Sequence, residues 1–346
     1  MKTQRNEWIF RAGVGVVILL VVLFVALLRP SGELPWTSGD YLLTPDIAHP
    51  VAPLVRVPGH KPAKGGGELF FVDVQERQAS ELEVLFPILR PAHSSLLPAT
   101  VLIPPGSTSS QFQAAELREM ATSQQIAAAV ALKYLGYPVV NKPNGVFINV
   151  LDMGTPAYHV LQPADLIVAV NGQPTLTLKT LHDVMSTVKP YDKVALTIKR
   201  GAQTLTFRVG TVATKDEPDR ALIGFVPGQS AEIKLPIKVS IDAGQIGGPS
   251  AGLAFTLELL RQLGHDPTNG YKVAATGTIN LDGSVGPIGG IVQKTWGVRE
   301  AGAQVFLVPA GSNAKAAEKN AGPDLKIIPV TSFKQALTAL AALPKR

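Results

Sequence analysis

The residues whose types and order could do chemistry stand together at Ile246-Gly247-Gly248-Pro249-Ser250-Ala251-Gly252-Leu253. Small residues around one serine let a substrate backbone come close. A serine hydroxyl attacks a carbonyl only when a base takes its proton. After Ser250, Leu253, Ala254, Leu257, Leu260 and Leu263 recur at helical spacing until Gly264, which predicts a helix ending there. Pro249 suits the first position of such a helix, because its missing N–H has no intrahelical partner to lose. Ser250 is then expected at a helix N-terminus, where backbone amides and the dipole can stabilise an oxyanion. Serine is also a common helix cap, and the glycine-rich segment alone leaves that reading open. A phosphate-binding loop would need Gly-Lys-Ser/Thr, but Leu253 follows Gly252.

A base is available further along. Pro287-Ile288-Gly289-Gly290 opens a second predicted helix, on which Ile291, Lys294, Val298 and Ala301 share one stripe. A lysine on an apolar stripe either snorkels to the surface or is buried. Burial favours the neutral amine, which can take a serine proton and return it to a leaving amine. His265 and Asp266 follow a helix end and read as turn residues.

These elements also carry a family resemblance. "GGPSAGL" followed by "ATGTINLDGSVGPIGGIVQKTWGVREAGAQVFLVP" closely resembles the proteolytic domain of Lon-type proteases, over about Ile233 to Leu340. The resemblance implies an α/β (α+β) domain with Ser250 as nucleophile and Lys294 as general base. It assigns Thr276 a supporting role beside the lysine and the backbone around Gly248, Pro249 and Ser250 to the oxyanion hole. It also makes a homo-oligomer an expectation.

A second resemblance precedes the first. Val146–Val150 and Asp165–Val170 read as strands, with a turn at Asn171-Gly172, then a helix over about Thr177–Val188 and a hairpin across Arg200-Gly201. The stretch "GTPAYHVLQPADLIVAVNGQPTLTLKTLHDVM" resembles a bacterial PDZ domain, a small β-rich unit here spanning residues 136–212. It departs from that family at Ala164, where glycine usually precedes the aspartate. A PDZ domain binds an extended peptide by strand addition. By analogy Leu135, Gly136 and Tyr137 form the candidate carboxylate loop, although Gly136 equally suits a helix C-cap. His159 and His182 read as surface or packing residues, and no second ligand stands at metal spacing.

The rest of the chain delivers or supports these units. Ala12 to Leu28 is an uncharged apolar run near the length of a spanning helix, extended by Trp8, Ile9 and Phe10. Lys2, Arg5 and Arg11 precede it, which predicts a single-pass signal anchor (residues 1–30) with a cytoplasmic N-terminus and an extracytoplasmic body. Pro- and Gly-rich residues follow as a tether. Then "GELFFVDV" and "EMATSQQIAAAVALKYLG" resemble the opening strand and helix of a Lon-type domain. Too few residues follow Val212 for a whole domain of that kind. We therefore expect the PDZ unit to be inserted, dividing the protease into residues 31–135 and 213–346.

Composition is consistent with this organisation. The chain has 346 residues, 46% hydrophobic and 17% charged, enough for a folded core. Its net charge of +6 comes from scattered lysines and arginines, with no basic stripe for nucleic acid. Absence of cysteine excludes disulfides and a thiolate nucleophile. No Walker-type sequence is present, so neither ATP nor another cofactor is expected. The reading is an anchored, ATP-independent serine endopeptidase acting on exported or membrane-associated polypeptides, with the PDZ domain selecting or gating substrates. The alternative is an inactive PDZ scaffold on a protease-like fold, against which the presence of both Ser250 and Lys294 argues.

Overall fold

The structure, a computed structural model, describes residues 14–19, 21–22, 25, 39–103, 109–213 and 218–346. Of the predicted span over residues 12–28, residues 12–13, 20, 23–24 and 26–28 lie outside them. Its described residues are helical and exposed, and among the described residues no helix is long and apolar enough to cross a membrane. The chain divides into two compact units, residues 1–45 with 74–102, and residues 46–73 with 103–346.

The smaller unit holds a three-stranded antiparallel sheet in which Tyr41–Pro45 lies between Val74–Gln78 and Ser95–Leu97. A short helix, Glu81–Leu85, starts on a capping box between Ser80 and Glu83, which satisfies two backbone donors at its first turn.

The larger unit contains, in chain order, β1 (His49–Pro50), β2 (Glu68–Phe71), α1 (Ser109–Tyr134), β3 (Val140–Leu151) and β4 (Leu166–Val170). Next come α2 (Leu178–Met185), β5 (Lys193–Arg200), β6 (Gln203–Gly210) and β7 (Phe225–Lys234). The chain continues through α3 (Gly252–Gln262), β8 (Lys272–Ala275), α4 (Ile291–Glu300) and β9 (Val305–Pro309). It closes with α5 (Ser312–Asn320), β10 (Lys326–Val330) and α6 (Phe333–Ala341).

Two sheets organise this unit. One runs β1-β2-β8-β9-β10, parallel except at β1, with Leu69 opposite Val273 and Val273 opposite Val305. Its strands are nearly continuous apolar runs, such as Val305 to Pro309, all buried, as a sheet covered on both faces requires. On one face lies α3, whose residues 252–260 are all buried, so its apolar character extends around the helix. Against α3 packs α1, through Met120, Ala127, Ala128, Val130 and Ala131 in the same core as Leu253 and Leu257. On the other face Ile291 and Val298 of α4 join Phe70, Phe306 and Val308.

The second sheet is antiparallel, in the order β6-β5-β4-β3-β7, over a core that includes Ile148, Ile167, Leu196 and Ile198. A capping box between Thr177 and Thr180 opens α2 beside it. Asp165, almost fully buried, is held by a bidentate bond from Arg200 (Nε–Oδ1 and Nη2–Oδ2 both 2.7 Å). Ala164 before it has φ 71°, the left-handed backbone for which glycine is better suited.

One boundary differs from the residue pattern. Ile233, Leu235, Ile237 and Val239 alternate with polar residues as in a half-buried strand over Ala231–Val239, but the strand starts at Phe225 and ends at Lys234, because β3 offers an edge long enough to pair from Phe225 opposite Leu151 to Lys234 opposite Val140. The antiparallel sheet thus gains a further strand beyond Val212, at Phe225–Lys234.

Candidate active site

Glycines shape the approach to Ser250. Gly248 has φ 77° and ψ 154°, a conformation that L side chains rarely adopt. Pro249, Ser250 and Ala251 then form a single 3-10 turn, and α3 begins at Gly252. Ser250 thus stands one short turn ahead of the helix rather than within its first turn. A side chain at Gly252 would lie 2.7 Å from Ile279 Cγ2 and 2.8 Å from Ser123 Oγ, so only glycine permits this packing.

From α4, Lys294 reaches the serine. Gly290 precedes the helix in left-handed conformation, and Lys294 N–H donates to its carbonyl at 2.9 Å. The Lys294 side chain is 3% exposed, and its Nζ donates to Ser250 Oγ at 2.6 Å. The lysine is therefore buried rather than snorkelling. Thr276, fully buried just past β8, donates from Oγ1 to the Ser250 carbonyl at 3.2 Å. Gly277 N–H donates to the same carbonyl at 2.8 Å, and Leu253 N–H donates to Gly277 O at 3.1 Å. The threonine hydroxyl thus fixes the backbone of the serine turn.

The expected oxyanion donors are arranged less simply. Pro249 has no N–H and cannot donate, which removes it from the set. Gly248 N–H donates to the carbonyl of Glu116 on α1, at 2.9 Å. The Glu116 side chain covers the same strip, since a Cβ on Gly247 would lie 2.8 Å from Glu116 Cβ. Ser123, one helical stretch further along α1, donates to Pro249 O at 3.1 Å.

An acidic group beside the lysine was missed in the sequence. Asp46, His49 and Asp73 bring donor atoms within 4.8 Å of one another. Burial, and then Asp46, push the Asp73 carboxyl above its ordinary range, while a backbone hydrogen bond and, after it, His49 and Lys294 pull it back. Asp73 Oδ1 is buried with no hydrogen-bond partner among the described residues. The available signal was an acid directly after the buried run Leu69–Val72.

Two family profiles match this chain: the PDZ domain over residues 133–211, and the Lon protease (S16) C-terminal proteolytic domain over residues 228–342. The chain carries a PDZ domain and a Lon-type proteolytic domain. Similar proteins include Lon protease 1 of Sorangium cellulosum, 33% identical over 125 residues, covering 33% of this chain and 15% of that protein. Lon protease of Chloroflexus aggregans is 31% identical over 150 residues, covering 42% of this chain and 17% of that protein. The match therefore spans less than a fifth of either relative's length. Among solved structures, the PDZ domain of an SdrC-like protein from Listeria monocytogenes aligns at 24% identity with a TM-score of 0.23. That alignment covers 24% of this chain and 87% of the Listeria chain.

Within the PDZ domain the sequence-predicted carboxylate loop lies elsewhere than the groove. Leu135, Gly136 and Tyr137 close α1: Gly136 has φ 83°, Tyr137 N–H donates to Leu132 O and Gly136 N–H to Lys133 O. That is a helix C-cap. A groove of about 1040 Å³ instead runs between α2 and the start of β7, lined by Leu181, His182 and Met185 on one side and Ile223, Phe225 and Pro227 on the other. His182 is exposed there, and His159 is exposed elsewhere in the domain. His265 and Asp266 lie in a turn, where Asp266 Oδ1 accepts from Thr268.

Proposed function

We propose that this chain is a serine endopeptidase in which Ser250 is the nucleophile and Lys294 the general base. The observation that carries the reading is the 2.6 Å contact between Nζ of the buried Lys294 and Oγ of the half-buried Ser250. A neutral Lys294 amine takes the Ser250 proton as Oγ attacks a peptide carbonyl. The tetrahedral oxyanion collapses, the C–N bond breaks, and the lysine returns its proton to the leaving amine. Water then attacks the acyl-serine ester by the same proton route, releasing the acid and regenerating the hydroxyl. Thr276 keeps the serine backbone in place through the Ser250 carbonyl. Substrates are polypeptides long enough to enter as extended chain.

In the same reading the PDZ domain is inserted into the protease domain. This is supported by β2 pairing with β8, and by α1 sharing a core with α3. The apolar run before Pro30 anchors the chain in a membrane with the catalytic body extracytoplasmic, and cleavage needs no ATP. Protomers associate as a homo-oligomer. Incubating the full chain with an unfolded protein tests the chemistry. Cleavage by the wild type without nucleotide, and its loss in both Ser250→Ala and Lys294→Ala, is expected. Equal cleavage by all three overturns the assignment.

A further inference from the structure

The smaller unit exposes five apolar residues in succession, Leu85-Phe86-Pro87-Ile88-Leu89. Leu85 is 59% exposed, Phe86 50%, Ile88 91% and Leu89 53%. Single exposed apolar side chains are ordinary on a protein surface, but a contiguous set marks contact with something apolar.

Local structure fixes this run in place. The helix Glu81–Leu85 stops because Pro87 disfavours helical backbone at Phe86, which is extended at φ −122° and ψ 91°. Pro87–Leu89 then form one 3-10 turn, and Arg90 N–H donates to Pro87 O at 3.2 Å. The Arg90 guanidinium folds back, Nε donating to Glu83 O at 2.7 Å and Nη2 to Val84 O at 3.0 Å. It thereby satisfies carbonyls that the end of the helix leaves open. The run is the tip of a tied loop. Among the described acids of this unit, Asp40 and Glu81 are buried and Glu83 is paired with Arg77. Glu76 is exposed, but it lies on the strand Val74–Gln78. Arg90 and the exposed His93 follow the tip directly, and a basic flank suits anionic headgroups.

Reach and size favour a lipid surface over a second protein. The uncharged apolar run ends at Leu28 and the first strand begins at Tyr41, so the chain between them spans at most about 45 Å when fully extended. A bilayer holding that run lies within reach of this unit, at high effective concentration. A stable protein–protein interface takes roughly 20–30 residues a side, which this short run does not supply. Dipping a few apolar side chains into headgroups needs no such area and is weak alone, so it works beside a second anchor.

We propose that Leu85–Leu89 inserts into the lipid headgroup region and seats the smaller unit on the membrane surface. The inference rests on the reading of residues 12–28 as a membrane anchor. The anchor supplies attachment, and the tip sets which side of the smaller unit meets the bilayer.

The chain has no cysteine, so Ile88→Cys carries a single environment-sensitive fluorophore in the otherwise complete chain. It is combined with nanodiscs of phosphatidylcholine and phosphatidylglycerol in equal parts, bearing a nitroxide either near the headgroup or deep in the acyl chains. Iodide reports access from water. The chain is expected to co-elute with the discs. The shallow nitroxide should quench at least roughly two-fold more than the deep one, and iodide should quench little. Leu85→Ser, Phe86→Ser and Leu89→Ser together change only exposed side chains, so the fold should stand. That variant should still co-elute, but lose the lipid quenching and regain iodide access. A chain that co-elutes while its probe is open to iodide and unquenched by lipid overturns the proposal and leaves the anchor reading intact. A probe shielded from both quenchers is covered by protein, such as a second copy, which also overturns it. Equal lipid quenching in the triple variant overturns it too, because the anchor alone then brings the site to the surface. A chain that does not co-elute removes the anchor reading and this inference with it.

Discussion

The serine turn and the groove beside α2 use opposite kinds of structure. At the serine turn, a half-buried serine ahead of α3 meets a buried lysine from α4, and glycines at 248, 252 and 290 permit the approach. At the groove, the open edge of β7 faces a wall of mostly apolar side chains. The first depends on packing from several directions and should tolerate little change. The second depends on one exposed strand and should tolerate much more. A site made of side chains needs a rigid surround, whereas a site made of backbone needs an edge left open.

The sharpest test of the rigid half is Gly297, three residues after Lys294. A Cβ there would lie 1.7 Å from the Asp46 carbonyl, and Ala48 N–H already donates to Gly297 O at 3.2 Å. Backbone cannot give way as a side-chain tip does. Gly297→Ala should lower unfolding stability by about 3 kcal/mol, the upper end for an overpacked core. A denaturant midpoint unchanged from the wild type would break the comparison.

Asp73 tests the electrostatics of the same half. Its ionised carboxylate favours the ammonium form of Lys294, the form unable to take a proton. Because burial raises the Asp73 carboxyl, that opposition is weakest at low pH and grows as pH rises through its folded titration. Asp73→Asn should therefore move the acid limb of the cleavage profile towards lower pH by about one unit. An unmoved limb would detach Asp73 from the lysine. Stability follows the same sign. A folded carboxyl raised above its unfolded value contributes stability below the unfolded titration, and that contribution is lost as pH rises through the folded one.

The smallest effect belongs to the PDZ half. Ala164 adopts φ 71°, yet its N–H donates to Ile148 O at 2.8 Å and Asp165 beside it is fixed by Arg200. Relief of left-handed strain outweighs the chain entropy that glycine adds, so Ala164→Gly should stabilise by about 0.5–1 kcal/mol. Thermal unfolding of the full chain checks it, and a lower midpoint would mean that the turn is already unstrained.

These contrasts also explain what could be read from residue order. The glycine strip around Ser250 and the stripe Ile291, Lys294, Val298 are local patterns, so the residues that meet between the serine turn and α4 were nameable before any coordinates. The fold class was legible for the same reason: the apolar run Val305–Pro309 and the helical spacing after Ser250 each declare their element. The groove was not legible because β7 gains its role by pairing with β3, far earlier in the chain. Strand periodicity at Ala231–Val239 was real, but pairing moved the strand towards Phe225. Leu135–Tyr137 carried a glycine that suited both a cap and a carboxylate loop, and the hydrogen bonds from Gly136 and Tyr137 make it a cap.

The central claim is that Ser250 and Lys294 act as one unit, and a double-mutant cycle measures this most directly. Cleavage of an unfolded protein is followed for wild type, Ser250→Ala, Lys294→Ala and the double variant, each checked for folding. The account predicts that each single change lowers kcat/KM by about 10²–10⁴-fold. It further predicts that the double variant loses no more than the worse single one. Losses that multiply, or a single variant that cleaves like the wild type, would contradict it.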